Sequence, residues 1–226
     1  LQKEPEGQRI ITQYDMYTLD VNANSKAIGV VKLDLLGIRN LSILEAAVRL
    51  VKKRHGLNID IYNLPHPDAK TFELLGKGLT FGVFQLGSSG MTRYLKELKP
   101  SSIFDIMAMI ALYRPGPMQF IDDYIRRKHN PSLINYFDPA FEKILHRTYG
   151  ILVYQDDLLT IAHDLAGYSW EEVDKFRKAV GKKIPAEMAK QKIKFIQGCM
   201  ETSGWSHHKA SEIWNWIEPF AAYGFN

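Results

Sequence analysis

The sequence predicts an α+β fold, a small β piece followed by a large, mostly helical domain. Three observations predict it. Two runs rich in branched and aromatic residues fill most of the first forty positions. From Gly37 onward, apolar residues recur at helical spacing between capping residues. The composition, 46% hydrophobic and 24% charged over 226 residues, supports a sizeable core in one domain or two unequal pieces.

Taken in order, Ile10 to Asp20 (IITQYDMYTLD) and Ile28 to Leu36 read as two strands. Between them VNANSKA has the Asn and Ser content of a turn, so a hairpin is expected. Leu41, Leu44, Val48 and Val51 then share a helix face, with Asn40 as the expected cap and Gly56 as the stop. Asp68 caps a short helix that ends at Gly76. A glycine-rich stretch, GLTFGVFQLGSSGM, leads into a helix through Arg93 to Leu98. Ser101 and Ser102 offer caps for a helix through Leu112, and the RPGP turn at 114–117 breaks it. Further helices are expected up to Lys128, from Pro139 to Thr148, and from YQDD to near Gly167. Ser169 and Glu172 have capping-box spacing for a helix through Val180, with Gly181 past its end. Two more helices fill 186–203 and 207–218.

No apolar run approaches the roughly 20 residues a membrane span requires, and no charged leader precedes a short apolar segment. The expected location is cytoplasmic, with no membrane partner. The single cysteine, Cys199, has no internal disulfide partner and reads as structural. Leu1 is not an initiator methionine and AAYGFN reads as a loop, so a piece of a longer chain is expected.

Charge is unevenly spread. The net charge is +4, yet residues 175–194 carry eight lysines or arginines against one glutamate, leaving the rest of the chain net acidic. Such clustering is either the footprint of a phosphate-bearing partner or a solvated helix face. Lys175, Lys178 and Lys182 fall on one side of this helix, Arg177 about a hundred degrees away, and Phe176 and Val180 toward the core. With Lys183, this face suits a triphosphate or a nucleic-acid backbone.

Three other places can carry chemistry. In VVKLDLLG, Lys32 and Asp34 share one face of the expected strand. They form either the wet side of a half-buried strand or a rigid magnesium-binding carboxylate with a cationic neighbour. Asp15 is a further acidic candidate. FQLGSSGM, with Ser88 and Ser89, either exposes backbone N–H groups to a phosphate or is a tight turn that needs glycine. RPGP either presents Arg114 rigidly to a phosphate or simply ends a helix. IRRKH, with Arg126, Arg127 and Lys128, adds a basic cluster. His207 with His208, and His163 with Asp164, are adjacent pairs that diverge on a helix and make poor metal sites. No serine or cysteine sits in a G-x-S-x-G elbow.

With these stretches in hand, the sequence resembles the catalytic alpha subunit of bacterial DNA polymerase III, a C-family replicative DNA polymerase. VVKLDLLGIRNL is similar to the family's K-(F/L)-D-(F/L)-L-G-L strand. TFGVFQLGSSGM, ALYRPGP, RRKHN, TYGILVYQDD, FRKAVGKKIPAEMAKQ and FAAYGFN follow in the family's order. The resemblance implies that residues 1–38 end the polymerase palm and 39–226 form most of the fingers. It implies that Asp34 is the third catalytic aspartate, a ligand of a two-metal Mg2+ site, with Lys32 beside it. It further implies that Arg177 and Lys178 reach the triphosphate of the incoming dNTP, and that Arg114 and Gln155 line the same cleft. We expect Lys182, Ser88 and Ser89 to join that nucleotide site, and Arg126, Arg127, Lys128 and Lys183 to meet primer-template DNA. In the full-length parent, the expected partners are the sliding clamp, clamp loader and proofreading exonuclease.

The sequence departs from the family pattern at several points. The other two catalytic aspartates belong to a D-x-D segment that this chain lacks, and the thumb is absent. Gly87 stands for a common Glu, Lys178 for a second Arg, and Asp156 for the Glu of Y-Q-E. The expected function is template-directed nucleotidyl transfer in the parent, with this chain inactive alone. The alternative is a non-catalytic DNA-binding or scaffold helical module.

Overall fold

The computed structural model describes residues 1–226 apart from 22, 25, 31, 32, 34, 183, 184, 221–223 and 226, and apart from the side chains of 181 and 182. The chain divides into two compact units, Leu1–Tyr62 and Asn63–Asn226.

In the first unit, strands β1 (Gln2–Lys3) and β2 (Ile10–Ile11) pair antiparallel, with Gln2 opposite Ile11 and Lys3 opposite Ile10. The EPEGQ turn between them is tied by Glu4 N donating to the Arg9 carbonyl at 2.9 Å and by an Arg9–Glu4 ion pair at 3.0 Å. The strand expected over Ile10–Asp20 thus ends after two residues, and helix α1 (Met16–Leu19) follows. The cause is local. Asp15 accepts from Thr18 N at 3.0 Å, and an Asp side chain bonded in this way nucleates a helical turn at the expense of a ladder.

The second expected strand, Ile28–Leu36, is not a strand among its described residues. Ile28 N donates to the Thr18 carbonyl, and Gly29 N and Val30 N both donate to the Leu19 carbonyl. Gly29 adopts φ 87°, a left-handed conformation that breaks the extended geometry a ladder needs. Leu33 and Leu35 are exposed. Lys32 and Asp34 lie outside the described residues. Helix α2 (Arg39–His55) starts one residue before the expected cap, with Ile38 rather than Asn40 in the cap position. It ends as expected at Gly56 (φ 68°), after a last turn of Lys52, Lys53, Arg54 and His55 that suits the negative end of the helix dipole.

The second unit is almost entirely helical. Asp68 caps α3 (Ala69–Gly76), Ser88 caps α4 (Ser89–Leu98), and Ser102 caps α5 (Ile103–Leu112) in a capping box with Asp105. Then come α6 (Ile121–His129), α7 (Glu142–Leu145) flanked by 3-10 turns, and α8 (Gln155–Ala166), which closes on Gly167 at φ 69°. Helix α9 (Trp170–Lys182) opens on the expected box, with Glu172 N bonded to Ser169 Oγ and Ser169 N to Glu172 Oε2. It runs through Gly181 rather than stopping before it; glycine weakens a helix without being bound to end it. Helices α10 (Pro185–Thr202) and α11 (His207–Phe220) complete the unit.

Two cores hold these helices. One gathers α3 to α6 around Leu95, Met109, Leu112 and Tyr124. The other gathers α7 to α11 around Phe141, Phe176, Phe195 and Trp214. Ile151–Val153 threads between them. Ile151 and Val153 enter the first core and Leu152 the second, the alternation of an extended chain buried on both faces. That double burial explains the unbroken apolar run ILV. Among the described residues, no helix is long and apolar enough to cross a membrane.

Candidate nucleotide site

Helix α9 opens the basic stretch 175–194 and carries Lys175, Arg177, Lys178 and Lys182. Its inner side is set by Val173, Phe176, Ala179 and Val180, all buried, which turns Arg177 and Lys178 outward. Asp174, one turn earlier, holds both. Arg177 Nη2 donates to Asp174 Oδ1 at 2.7 Å, and Lys178 Nζ lies 2.8 Å from Oδ2. The bonds from Lys178 and then Arg177 hold the Asp174 carboxyl below its usual range. Sequence spacing put Arg177 apart from Lys178; the shared carboxylate draws their heads together. Lys182 closes the helix, and its side chain and Lys183 lie outside the described residues.

At the N-terminus of α4, Ser88 accepts from Met91 N at 3.3 Å, and Ser89 is the first helical residue. Gly90 is required here, because a Cβ would run into the Tyr113 hydroxyl. Gly87 is not: a Cβ would meet the Thr80 carbonyl oxygen at 3.4 Å, an ordinary contact. The backbone at this position therefore does not demand glycine.

The structure brings Arg114 and Gln155 together through Phe225. Arg114 Nε donates to the Ala111 carbonyl at 3.0 Å, and its guanidinium lies 4.8 Å from the Phe225 ring centre. Gln155 N donates to the Phe225 carbonyl at 2.8 Å, within a parallel bridge between Tyr154 and Phe225. Beside this junction, Asp157 accepts from Tyr154 N at 3.0 Å. Burial pushes the Asp157 carboxyl up to about 6, against the pull of the Tyr154 and Val153 backbone bonds, and with Asp157 it pushes the Tyr154 phenol up to about 12. A cavity of about 660 Å³ opens here, lined by Phe104, Arg147, Tyr154, Asp156, Asp157 and Phe225 among others.

The basic cluster of α6 splits three ways. Arg126 is 68% exposed and pairs with Asp123. Arg127 Nη1 donates to the Tyr149 carbonyl at 3.0 Å. Lys128 is only 10% exposed; its Nζ donates to the Lys99 carbonyl at 3.0 Å and lies 3.6 Å from the buried Asp105. Asp105 also accepts from Ser101 N at 2.9 Å and Ser102 N at 3.2 Å, with the Tyr124 and Tyr149 hydroxyls at 3.4 and 3.5 Å. The fully satisfied carboxylate thus uses Lys128 as a structural counter-charge.

Residues 40–203 match the model of the bacterial DNA polymerase III alpha subunit finger domain. The chain belongs to this finger-domain family. It is 44% identical over 99% of its length to the DNA polymerase III subunit alpha of Aquifex aeolicus, of which it covers 19%. It is 45% identical over its whole length to that of Thermus aquaticus, covering 18%, and 43% identical over 98% to that of Halalkalibacterium halodurans, covering 19%. The chain thus spans about a fifth of the length of these curated relatives.

The finger-domain sequence left three of these groups unremarked. Asp174 was legible as the acid three and four positions before two cations. Asp105 was legible as the third residue of a capping box, though not as the partner of Lys128. Phe225 stood in the FAAYGFN motif, but its contacts were not legible, since nothing local ties it to Gln155 some 70 positions earlier.

Proposed function

We propose that this chain supplies the fingers, and over residues 1–38 the end of the palm, of a cytoplasmic template-directed DNA polymerase. The enzyme joins an incoming dNTP to the primer 3′-hydroxyl of primer-template DNA and releases pyrophosphate. The observation that carries this reading is the family membership across the cationic helix α9; its outward Arg177 and Lys178 support a role in taking a triphosphate. In phosphoryl transfer, most of the catalysis is positioning and charge stabilisation, and that is what a helix-mounted Arg and Lys supply. Lys182 extends the same helix, and the α4 terminus at Ser88 and Ser89 offers backbone N–H groups to the same ligand. Arg114 and Gln155, joined at Phe225, shape the cleft wall.

DNA contact rests on Arg126, whose side chain is the freest of its cluster to reach a phosphate, and on Lys183. Arg127 and Lys128 set the frame from which Arg126 projects. In the full-length polymerase, the sliding clamp, clamp loader and proofreading exonuclease complete the assembly.

Asp34 is the catalytic carboxylate of this reading, with Lys32 beside it. Magnesium, which would activate the 3′-hydroxyl and neutralise phosphate charge, enters only through Asp34. Among the described residues, no group of three or more His, Cys, Asp or Glu is placed to hold a metal. One carboxylate cannot serve a two-metal site, so the chain alone is inactive.

The test is Asp34→Asn in the full-length polymerase. Single-turnover extension should fall by about a hundred- to a thousandfold, the scale of losing a group that stabilises the transition state, while DNA affinity stays within a few-fold. Unchanged extension overturns the reading, as does primer extension by the purified 226-residue chain.

A further inference from the structure

The mechanism sketched above uses Arg177 and Lys178 but gives no role to the acid that holds them. An Arg and a Lys on adjacent helical positions diverge by about a hundred degrees, so by geometry alone they cannot address one ligand well. Each is also a long side chain with many rotamers to lose on binding. Asp174 removes both obstacles. Its two oxygens each take one cation, Oδ1 the Arg177 Nη2 at 2.7 Å and Oδ2 the Lys178 Nζ at 2.8 Å.

The arrangement leaves donors to spare. Arginine carries five N–H groups and lysine three, and each spends one on Asp174. The cluster keeps a net positive charge and remains about half exposed. An anion can therefore bind without displacing the carboxylate. Glu172, earlier on this helix, pairs instead with Lys194.

We propose that Asp174 is a positioning residue for the nucleotide triphosphate: it gathers Arg177 and Lys178 onto one side of α9 before the nucleotide arrives. The opposite role, a carboxylate that competes with phosphate for the two cations, predicts the opposite sign and is decided by the same measurement. The inference rests on the nucleotide-binding reading of Arg177 and Lys178.

The experiment measures dNTP affinity of the full-length polymerase on a primer-template with a dideoxy-terminated primer, so that binding is read without chemistry. Three variants are compared with the parent: Asp174→Asn, Asp174→Glu and Arg177→Ala. Asp174→Asn should weaken dNTP binding roughly two- to fivefold, the scale of two partly exposed ion pairs. In turnover assays the same variant should raise KM with kcat little changed, and Asp174→Glu should recover most of the loss. A loss confined to structure would lower the thermal midpoint and kcat without this split. Unchanged or tighter binding in Asp174→Asn, with Arg177→Ala strongly weakened, overturns the positioning role alone. If Arg177→Ala also binds dNTP normally, the nucleotide-site reading itself has failed.

Discussion

Helix α2 in the first unit and helix α8 in the second obey the same local rules, yet end in different states. Both close on a left-handed glycine, Gly56 at φ 68° and Gly167 at φ 69°. Helix α8 buries Leu158, Ile161, Ala162, Leu165 and Ala166 in a shared core, whereas no residue of the longer α2 is buried. Local code is enough to place a helix. Its contribution to stability depends on what covers its apolar face, since most helical stability comes from tertiary packing.

The sharpest way to break the comparison is to delete side chains on each side of it. Trp214→Ala, which empties a position 1% exposed among Phe176 and Phe195, should cost about 3–5 kcal/mol in urea unfolding. Ile43→Ala, on exposed α2, should stay within about 0.5 kcal/mol. Equal losses would show that α2 is packed as the core shared by α8 and α11 is.

Two glycines sharpen it further. A Cβ on Gly198 of α10 would collide with the backbone carbonyl of Ala166, so Gly198→Ala should cost about 1–3 kcal/mol by forcing α8 and α10 apart. Gly56 has open space around it, and only its φ matters, so Gly56→Ala should cost about 1 kcal/mol. Thermal midpoints of the two variants rank them.

The smallest effects are pH-dependent and opposite in sign. The folded Asp157 pKa of about 6 lies above its ordinary value of 3.8, so the folded state binds the extra proton between them. Its contribution is greatest below pH 3.8 and is lost as pH rises toward and through 6. Glu172, drawn down to about 2 by Lys194 and the Ser169 N–H, contributes above pH 4.5 and loses it as pH falls toward 2. Asp157→Asn should flatten the slope between pH 4 and 6, and Glu172→Gln the slope below it; urea midpoints across pH 2–8 read both.

Much of the helical unit was legible because its signals are local. Asp68, Ser102 and the Ser169–Glu172 box each cap the helix they were expected to cap. A small β piece was legible too, but the bounds of its strands were not, because a strand needs a partner the sequence does not name. The run through Asp20 went instead to a helix capped by Asp15, and Gly29 broke the next one. At the site, the charge of α9 was plain from spacing, while its convergence on Asp174 needed side-chain geometry. Lys128 read as a surface cation, but Asp105, hidden in an apolar helix, draws it inward. Charge could be counted along the chain; the direction a charge faces is decided by its neighbours in space.

The most direct test of the central claim locates the triphosphate without altering the protein. A dNTP carrying a photoreactive group on its γ-phosphate would be crosslinked to the full-length polymerase on primer-template DNA, and the labelled peptides mapped. The account predicts label on the peptide carrying Arg177 and Lys178, reduced by excess unmodified dNTP. Label that excess dNTP displaces, but that falls only on peptides away from α9, would contradict it.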